Sequence, residues 1–456
     1  MIFKKTSNRK LFLFVGDIFI IIFSMNLAFI IRLEKSTISY LGLYNGIIIT
    51  LLMLISCLIS FYIFDLYNIK AKIKTTQIIG LTLGSLILVT LFIVIFFYLF
   101  PYILGRGIFV ISLSLIGILI IIWRILYSII FRLTLSQRNI LIVGSRRKAE
   151  FVYSLIKNNP DYKVIGLIDN NMKKIEFSKR EALEDSPSLE EVVKNQKIDD
   201  IIVTIDTTKK RELHKALVNS KMKGINIYDI PAFYEDVFYK LPVSYIKPNW
   251  LLYSDGFSKL SSKVYKRLKR MIDLTISSTL LLLSFPIGII TFLALKLSSK
   301  GPIFFTQERV GENQKPFKLF KLRTMVSDAE EGEPAWAAEN DPRVTLVGKI
   351  LRKTRLDELP QLINILKGEM SLIGPRPERE FFVKKLNENI PYYSLRFSVK
   401  PGLTGWAQVM YRYGASEEDA LEKLQYELYY VKNMSLPLDF RILLKTVRIV
   451  LFGQGR

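Results

Sequence analysis

Four apolar runs in the first 135 residues restrict this chain more than anything else in it. They extend from Leu11 to Ile31, Leu43 to Leu66, Ile78 to Tyr98 and Ile108 to Phe131. Each is close to the length of about 20 residues that a helix needs to cross a bilayer. In hydrocarbon every peptide group must find a partner inside its own segment, so such runs fold as helices. Basic residues fall unevenly around them. Lys4, Lys5, Arg9 and Lys10 precede the first run, Lys70, Lys72 and Lys74 separate the second from the third, and Arg132 and Arg138 follow the fourth. The other loops hold Arg32, Glu34 and Lys35, and Arg106. The asymmetry predicts a four-helix transmembrane bundle over residues 1–135 with both ends in the cytoplasm. The first run is too long for a removable signal peptide and lacks a small-residue cleavage site. Asp17, Asp65 and Arg124 lie in or beside the runs. Their placement predicts anchoring or helix pairing rather than a transport path.

Composition narrows the chemistry. Half of the 456 residues are hydrophobic, yet the formal charge is +23. That pairing fits a membrane protein drawn to anionic lipid head groups or phosphorylated ligands. No nucleic-acid partner is expected of so apolar a chain. Cys57 is the single cysteine and sits in an apolar run, which excludes an internal disulfide and a thiolate zinc site. The single histidine, His214, falls in "KKRELHKALV", which reads as an exposed helix. Carboxylates, arginines and a hard cation are what remain for catalysis.

Past the bundle the texture changes. "RNILIVGS", "YKVIGLID" and "IDDIIVTID" read as short strands separated by helical segments, which predicts a Rossmann-like α/β domain with a parallel sheet over residues 136–240. Gly144 has no later glycines at the spacing of a dinucleotide fingerprint, so a structural or oligomerising role is expected there rather than bound NAD. Residues 241–270 read as a linker and a basic juxtamembrane helix, "SKVYKRLKRMID". A fifth apolar run, Leu274 to Leu295, then follows. Lys266, Arg267, Lys269 and Arg270 precede it and Lys296 and Lys300 follow, so both ends favour the cytoplasmic leaflet. Pro286 sits mid-run and removes a helical hydrogen bond. A bent, re-entrant helix satisfies both features, with Ser284 supplying a hydroxyl to a freed carbonyl. An ordinary kinked span stands beside that reading.

"KTRLDELPQLINILKGEMSLIGPRP" places adjacent carboxylates, Asp357 and Glu358, among basic residues. Helix capping is one reading: Asp357 at the N-cap, Pro360 in the first turn, and Leu362, Ile363 and Leu366 as the buried stripe. An ionised nucleophile or metal ligand facing phosphate near the helix N-terminus is the other, and the two are compatible. Arg376 lies between two prolines, and its planar fork suits a phosphate. At the C-terminus, Arg441, Lys445 and Arg448 alternate with apolar residues and read as an amphipathic helix at the membrane surface.

Three ordered stretches, "SKGPIFFTQERVGENQKPFKLFKLRTM", "DPRVTLVGKILRKTRLDELPQLINILKGEMSLIGPRPE" and "VKPGLTGWAQV", resemble the catalytic domain of bacterial polyprenyl-phosphate phosphoglycosyl transferases of the monotopic superfamily. The whole chain resembles the long form. The resemblance implies a mixed membrane protein: the four-helix bundle, the Rossmann-like domain, and a catalytic α+β domain at 271–456 with a re-entrant helix and interfacial amphipathic helices. It implies transfer of a sugar-1-phosphate from a UDP-sugar, a hexose such as galactose or glucose being favoured, to undecaprenyl phosphate at the cytoplasmic face of the bacterial inner membrane. This would be the first membrane step of a surface polysaccharide pathway. A homo-oligomer is compatible with it. Asp357 is implied as the nucleophile that becomes a phosphosugar ester, and Mg2+ would be held by Asp357 with Glu358 as a second ligand or an orienting group. Arg376 is implied for the nucleotide diphosphate. Arg323, Lys321, Arg352, Arg355 and Gln408 are further substrate-binding candidates, and Trp406 reads as a core residue. Ser284 and Pro286 are structural. Phe285 stands where the family often has the serine before its proline. A membrane-anchored nucleotide-sugar-modifying enzyme would need a full glycine fingerprint and a Tyr-x-x-x-Lys. A non-catalytic scaffold would need none of these charges.

Overall fold

The structure is a computed structural model. It describes residues 2–67, 75–99, 106–133, 137–159, 161–168, 174–175, 189–206, 210–246, 248–254, 256–298, 301–326, 343–411, 414 and 416–452. The chain forms two compact units, Met1–Phe233 and Tyr234–Arg456.

The first unit opens with four long helices, α1 (Ile2–Leu33), α2 (Thr37–Ile63), α3 (Thr75–Leu99) and α4 (Arg106–Leu133). Each contains a stretch long and apolar enough to cross a membrane. Their inward faces share one core, including Ile21, Met25, Phe29, Met53, Phe61, Val89, Ile116 and Ile120, while Phe19, Ile87 and Val110 face outward. Cys57 is a buried free thiol in that core. Asp17 on α1 pairs with Arg124 on α4 at 2.6 Å, both buried, so these two charges pair helices as the sequence implied.

The α/β part comprises β1 (Arg138–Val143), α5 (Arg146–Ile156), β2 (Tyr162–Ile168), β3 (Lys174–Ile175), α6 (Leu189–Asn195), β4 (Asp200–Val203), α7 (Arg211–Met222) and β5 (Asn226–Asp229). The sheet order is β3-β2-β1-β4-β5. Every pairing is parallel except β2 with β3, so the sheet is mixed at one edge. Buried Asp200 is neutralised by Arg138 and accepts from Asn226 Nδ2 at 3.0 Å, which ties three strands together. Gly144 ends β1 with a φ of +128°, and a Cβ there would lie 2.6 Å from Thr204 Oγ1. Close packing against Thr204 and Ile205 leaves no room for a side chain at this position. His214 is exposed on α7, as expected.

Helix α8 (Ile230–Phe238) carries the chain into the second unit, followed by α9 (Pro248–Tyr253) and α10 (Lys263–Ser298). The stretch read as a linker from residue 241 is packed instead: Leu241, Val243 and Ile246 are buried in one core with Phe382, Leu386 and Leu424. Helix α10 is continuous through Pro286, so the proline does not divide the run into two helices. The Ser284 hydroxyl donates to the Leu281 carbonyl at 3.1 Å. The carbonyl that Pro286 deprives of its i+4 donor is that of Leu282, so the hydroxyl serves a neighbouring group.

Two strands, β6 (Phe304–Val310) and β7 (Pro316–Leu322), form an antiparallel hairpin in the register Phe304↔Leu322 to Val310↔Pro316. After α11 (Leu346–Thr354), α12 (Gln361–Lys367) and β8 (Ser371–Ile373) come α13 (Glu380–Asn389), β9 (Gly402–Thr404), α14 (Trp406–Met410), α15 (Glu417–Asn433) and α16 (Leu436–Leu451). Strands β8 and β9 pair in parallel. Fully buried Asn364 locks α12 to the hairpin: it accepts from Phe320 N at 3.1 Å and donates to the Lys318 carbonyl at 2.7 Å. The second core gathers Leu362, Ile365, Ile373, Trp406, Tyr430 and Ile442.

Candidate active site

The acidic pair is delivered by a break between two helices. Helix α11 ends on Arg355, held in the left-handed region at φ 59°, a conformation that non-glycine residues seldom adopt. Leu356–Glu358 then form a 3₁₀ turn, and α12 begins only at Gln361 with Pro360 as its N-cap. Asp357 is therefore not the cap of α12, because the extra turn moves the helix start downstream. The later start also resets the buried face. Leu362 is buried as expected, but Ile363 is exposed and Leu366 only half-buried, while Asn364 and Ile365 are buried in their stead.

Both carboxylates are 8% exposed, yet their surroundings differ. Glu358 Oε1 lies 3.0 Å from Arg376 Nη2, 3.5 Å from Arg355 Nη1 and 3.8 Å from Lys321 Nζ. Burial pushes the Glu358 carboxyl up, but these cations outweigh it and hold it at about 2. Asp357 Oδ1 is buried with no hydrogen-bond partner among the described residues. Burial and then the neighbouring Glu358 charge push the Asp357 carboxyl up, against Lys321, Arg355 and Arg352. The sequence predicted an ionised Asp357 favoured by a helix N-terminus. The structure gives it no such support, and Glu358 is the well-held anion.

The cationic side chains keep access to solvent, at 40% for Arg376, 32% for Arg355 and 23% for Lys321. Burial pushes the Lys321 ammonium down, in opposition to Glu358. The Glu358 charge raises Arg376. Arg352 donates to Thr324 Oγ1 at 2.8 Å and adds positive potential at Asp357. Lys321, Arg352, Arg355 and Arg376 thus gather around the pair. The other two candidates are Arg323, just past β7, and Gln408, on α14. Arg323 is buried at the end of β7, where its peptide N–H bonds the Ile303 carbonyl. Gln408 donates to the Leu403 carbonyl at 3.2 Å. Trp406 is a core residue, 1% exposed, whose Nε1 donates to the Tyr239 carbonyl at 2.8 Å.

Arg376 sits on a loop fixed to β9. Gly374 N bonds the Thr404 carbonyl, Gly402 N bonds the Pro375 carbonyl, and a Cβ on Gly405 would lie 2.1 Å from the Gly374 carbonyl oxygen. Two residues that no motif marked also reach this loop, Arg396 and Glu427. The C-terminal helix α16 departs from its expected orientation in part. Arg441 lies over the rings of Trp406 and Tyr239 at 5.3 Å each. Phe440, Val447, Val450 and Leu451 are the exposed apolar side chains.

A buried, unpartnered carboxylate oxygen lies under a rim of accessible cations, and five helices among the described residues are long and apolar enough to cross a membrane, which marks a membrane protein. The bacterial sugar transferase family matches residues 264–453, and the chain belongs to that family. A CoA-binding domain family matches residues 62–231. A UDP-glucose:undecaprenyl-phosphate glucose-1-phosphate transferase of Caulobacter vibrioides is 41% identical over 181 residues, covering 39% of this chain and 68% of the relative. A UDP-N-acetylgalactosamine-undecaprenyl-phosphate N-acetylgalactosaminephosphotransferase of Aeromonas hydrophila is 39% identical over 244 residues, 54% of this chain and 56% of the relative. An undecaprenyl-phosphate galactose phosphotransferase of Salmonella typhimurium is 29% identical over 343 residues, 71% and 70% of the two chains. The match to the Aeromonas protein thus spans just over half of its length.

Proposed function

We propose that this protein is a phosphoglycosyl transferase that moves a sugar-1-phosphate from a UDP-sugar to undecaprenyl phosphate. The observation that carries the reading is the asymmetry of the acidic pair: Glu358 is paired with three cations, while Asp357 Oδ1 is buried without a hydrogen-bond partner among the described residues. An Asp357 oxygen attacks the phosphorus bearing the sugar, and the bond to UMP breaks with its electron pair leaving on UMP. An oxygen of undecaprenyl phosphate then attacks the same phosphorus, which frees the Asp357 carboxylate and forms undecaprenyl-diphosphate-sugar. Two displacements replace one difficult transfer. A carboxylate pushed up by its environment is the more basic, and hence the better nucleophile once ionised. Arg376, Arg355 and Lys321 draw the donor's diphosphate to it.

The unpartnered Asp357 Oδ1 also fits a Mg2+ ligand, whereas Glu358 is engaged by cations and suits the orienting role. Bound there, the ion would screen the donor diphosphate against the incoming carboxylate. The named relatives act on glucose, galactose and N-acetylgalactosamine, so the favoured hexose has an N-acetylhexosamine as its rival. Release of UMP from purified protein, undecaprenyl phosphate and a panel of UDP-sugars tests the reading. Turnover in none of them sinks it, and full turnover in excess EDTA removes the metal.

For topology we propose a four-helix transmembrane bundle in the bacterial inner membrane and re-entry of α10, with the site on the cytoplasmic face and the product feeding a surface polysaccharide pathway. Support comes from the ends of α10. Tyr265 and Lys269 bond Asp439, Arg270 bonds the Ile365 and Leu366 carbonyls, and Asp273 accepts from Leu372 N, so the first turns rest on protein. Leu282, Leu283, Phe285 and Ile290 beyond them are exposed, and Leu295 is buried again. With Cys57→Ser as background, single cysteines at Ser262 and Glu388 should both react only from the cytoplasmic side. Reaction of the Glu388 position from outside intact cells contradicts re-entry.

A further inference from the structure

Arg376 owes its place to a second charge pair deeper in the unit. Arg396, in the 3₁₀ segment Tyr393–Ser398, and Glu427, on α15, meet at 2.8 Å with side chains only 4% and 5% exposed. Both also grip the backbone of Arg376. Arg396 Nη2 donates to the Arg376 carbonyl at 2.8 Å, and Glu427 Oε1 accepts from the Arg376 N–H at 3.3 Å. Arg396 Nη1 donates to the Tyr393 hydroxyl at 2.5 Å, and its guanidinium lies over the Tyr393 and Phe397 rings at 5.0 and 5.5 Å. The fork is therefore fixed in plane and direction, which a lysine's point charge could not reproduce. Pro375 and Pro377 restrict the loop on either side, and Arg309 Nη1 donates to the Pro377 carbonyl at 3.3 Å.

Stability alone is a poor reason for such a pair. Apolar residues of similar volume in place of a buried ion pair are often neutral or better. What these two supply, and apolar residues could not, is a donor and an acceptor on the two sides of one residue's backbone. We infer that Arg396 and Glu427 are positioning residues for the transfer: they hold the Arg376 backbone so that its guanidinium faces Glu358 and the donor diphosphate. The inference rests on Arg376 being a diphosphate ligand.

The test uses the full chain in detergent, with UDP affinity by titration, UMP-release kinetics and the unfolding midpoint measured together. Arg396→Lys keeps the charge but not the fork. The Arg396→Met/Glu427→Met double variant removes both contacts and strands no charge, so it should remain folded. Each should raise the KM for UDP-sugar and weaken UDP binding by about tenfold or more. In an Arg376→Ala background the same changes should add less than about twofold, because residues acting through a common partner are not additive. Unchanged KM and UDP affinity in either folded variant overturns the inference, and so does a loss of equal size with and without Arg376. A wild type that binds UDP through Arg376 but releases no UMP defeats the transferase reading, and the UDP arm still judges the clamp. A wild type that binds no UDP overturns both.

Discussion

Two acid–arginine pairs in this molecule look alike on paper and differ in everything that matters for chemistry. Asp17 and Arg124 meet at 2.6 Å with side chains 0% and 5% exposed, and Tyr67 stacks on the guanidinium at 5.1 Å. One acid meets one base, sealed among apolar helices. Glu358 and Arg376 meet at 3.0 Å, but the arginine is 40% exposed, and Arg355 and Lys321 press on the same carboxylate oxygen. A sealed pair offers a ligand neither access nor surplus charge, so it can only join helices. The second arrangement has more cations than its held anion needs, they reach solvent, and a second, unpartnered carboxylate oxygen lies beneath them. Proximity of opposite charges is common to both. Surplus and access separate a joint from a site.

The hardest test of that contrast is a matched pair of substitutions. Asp357→Asn should lower UMP release by at least about 10³-fold, since the proposed nucleophile is lost. Asp17→Asn should leave turnover per folded molecule within about twofold, as expected of a change outside the reacting groups. Comparable activity losses in both would erase the distinction. Next comes Glu358→Gln. It removes the charge that gathers Arg376, Arg355 and Lys321, so turnover should fall by about 10²-fold through misplaced cations. Near-normal turnover in this variant would mean that the cations are placed by the backbone alone.

What the sequence disclosed follows the same division between local pattern and tertiary contact. The spans were legible because hydrocarbon dictates both length and composition over a continuous stretch. Asp357, Glu358 and Arg376 stood out because adjacent carboxylates among basic residues, and an arginine between prolines, are patterns within a few residues. Arg396 and Glu427 were not legible. They lie 20 and 51 residues from Arg376 and act on its backbone, so nothing local marks them. The start of α12 was misplaced because a left-handed Arg355 and a 3₁₀ turn precede Pro360, and neither has a residue signature as strong as glycine's. Gln408 was a candidate through its motif alone, and its amide donates to the Leu403 carbonyl. The strand Asn226–Asp229 has one aliphatic residue, Ile227, where Asp200–Val203 has three, so its sequence pattern is weaker at equal length.

The sealed pair should show itself in stability rather than rate. Arg124→Met leaves Asp17 buried without a partner, which typically costs about 3–5 kcal/mol. The unfolding midpoint in detergent should drop accordingly, and the Asp17→Leu/Arg124→Met double variant should recover most of the loss. A double variant no more stable than the single one would show that the pair does more than neutralise itself.

The smallest effect lies at the open site and has the opposite sign. The Asp357 carboxyl is pushed above its ordinary value of 3.8, chiefly by burial and then by Glu358. A raised folded-state value means that the protonated form is the one folding favours. The contribution is therefore fully present below about pH 3.8 and is lost as pH rises through the raised value. An ionised Asp357 is thus a liability to the fold, and the proposed role as nucleophile requires that charge. Asp357→Asn carries no charge at any pH, so it should raise the unfolding midpoint slightly at neutral pH, by about a degree. That gain should shrink as the wild type is acidified into the carboxylate range, where Asp357 becomes neutral too. Glu358 runs the other way: its stabilisation is present above about pH 4.5 and fades as pH falls towards 2. Unfolding scans of wild type and Asp357→Asn across that range separate the two carboxylates, since only the Asp357 contribution is missing from the variant. A variant less stable than wild type at neutral pH would mean that Asp357 is a bound, compensated anion like Glu358, and the asymmetry on which its role as nucleophile rests would be gone.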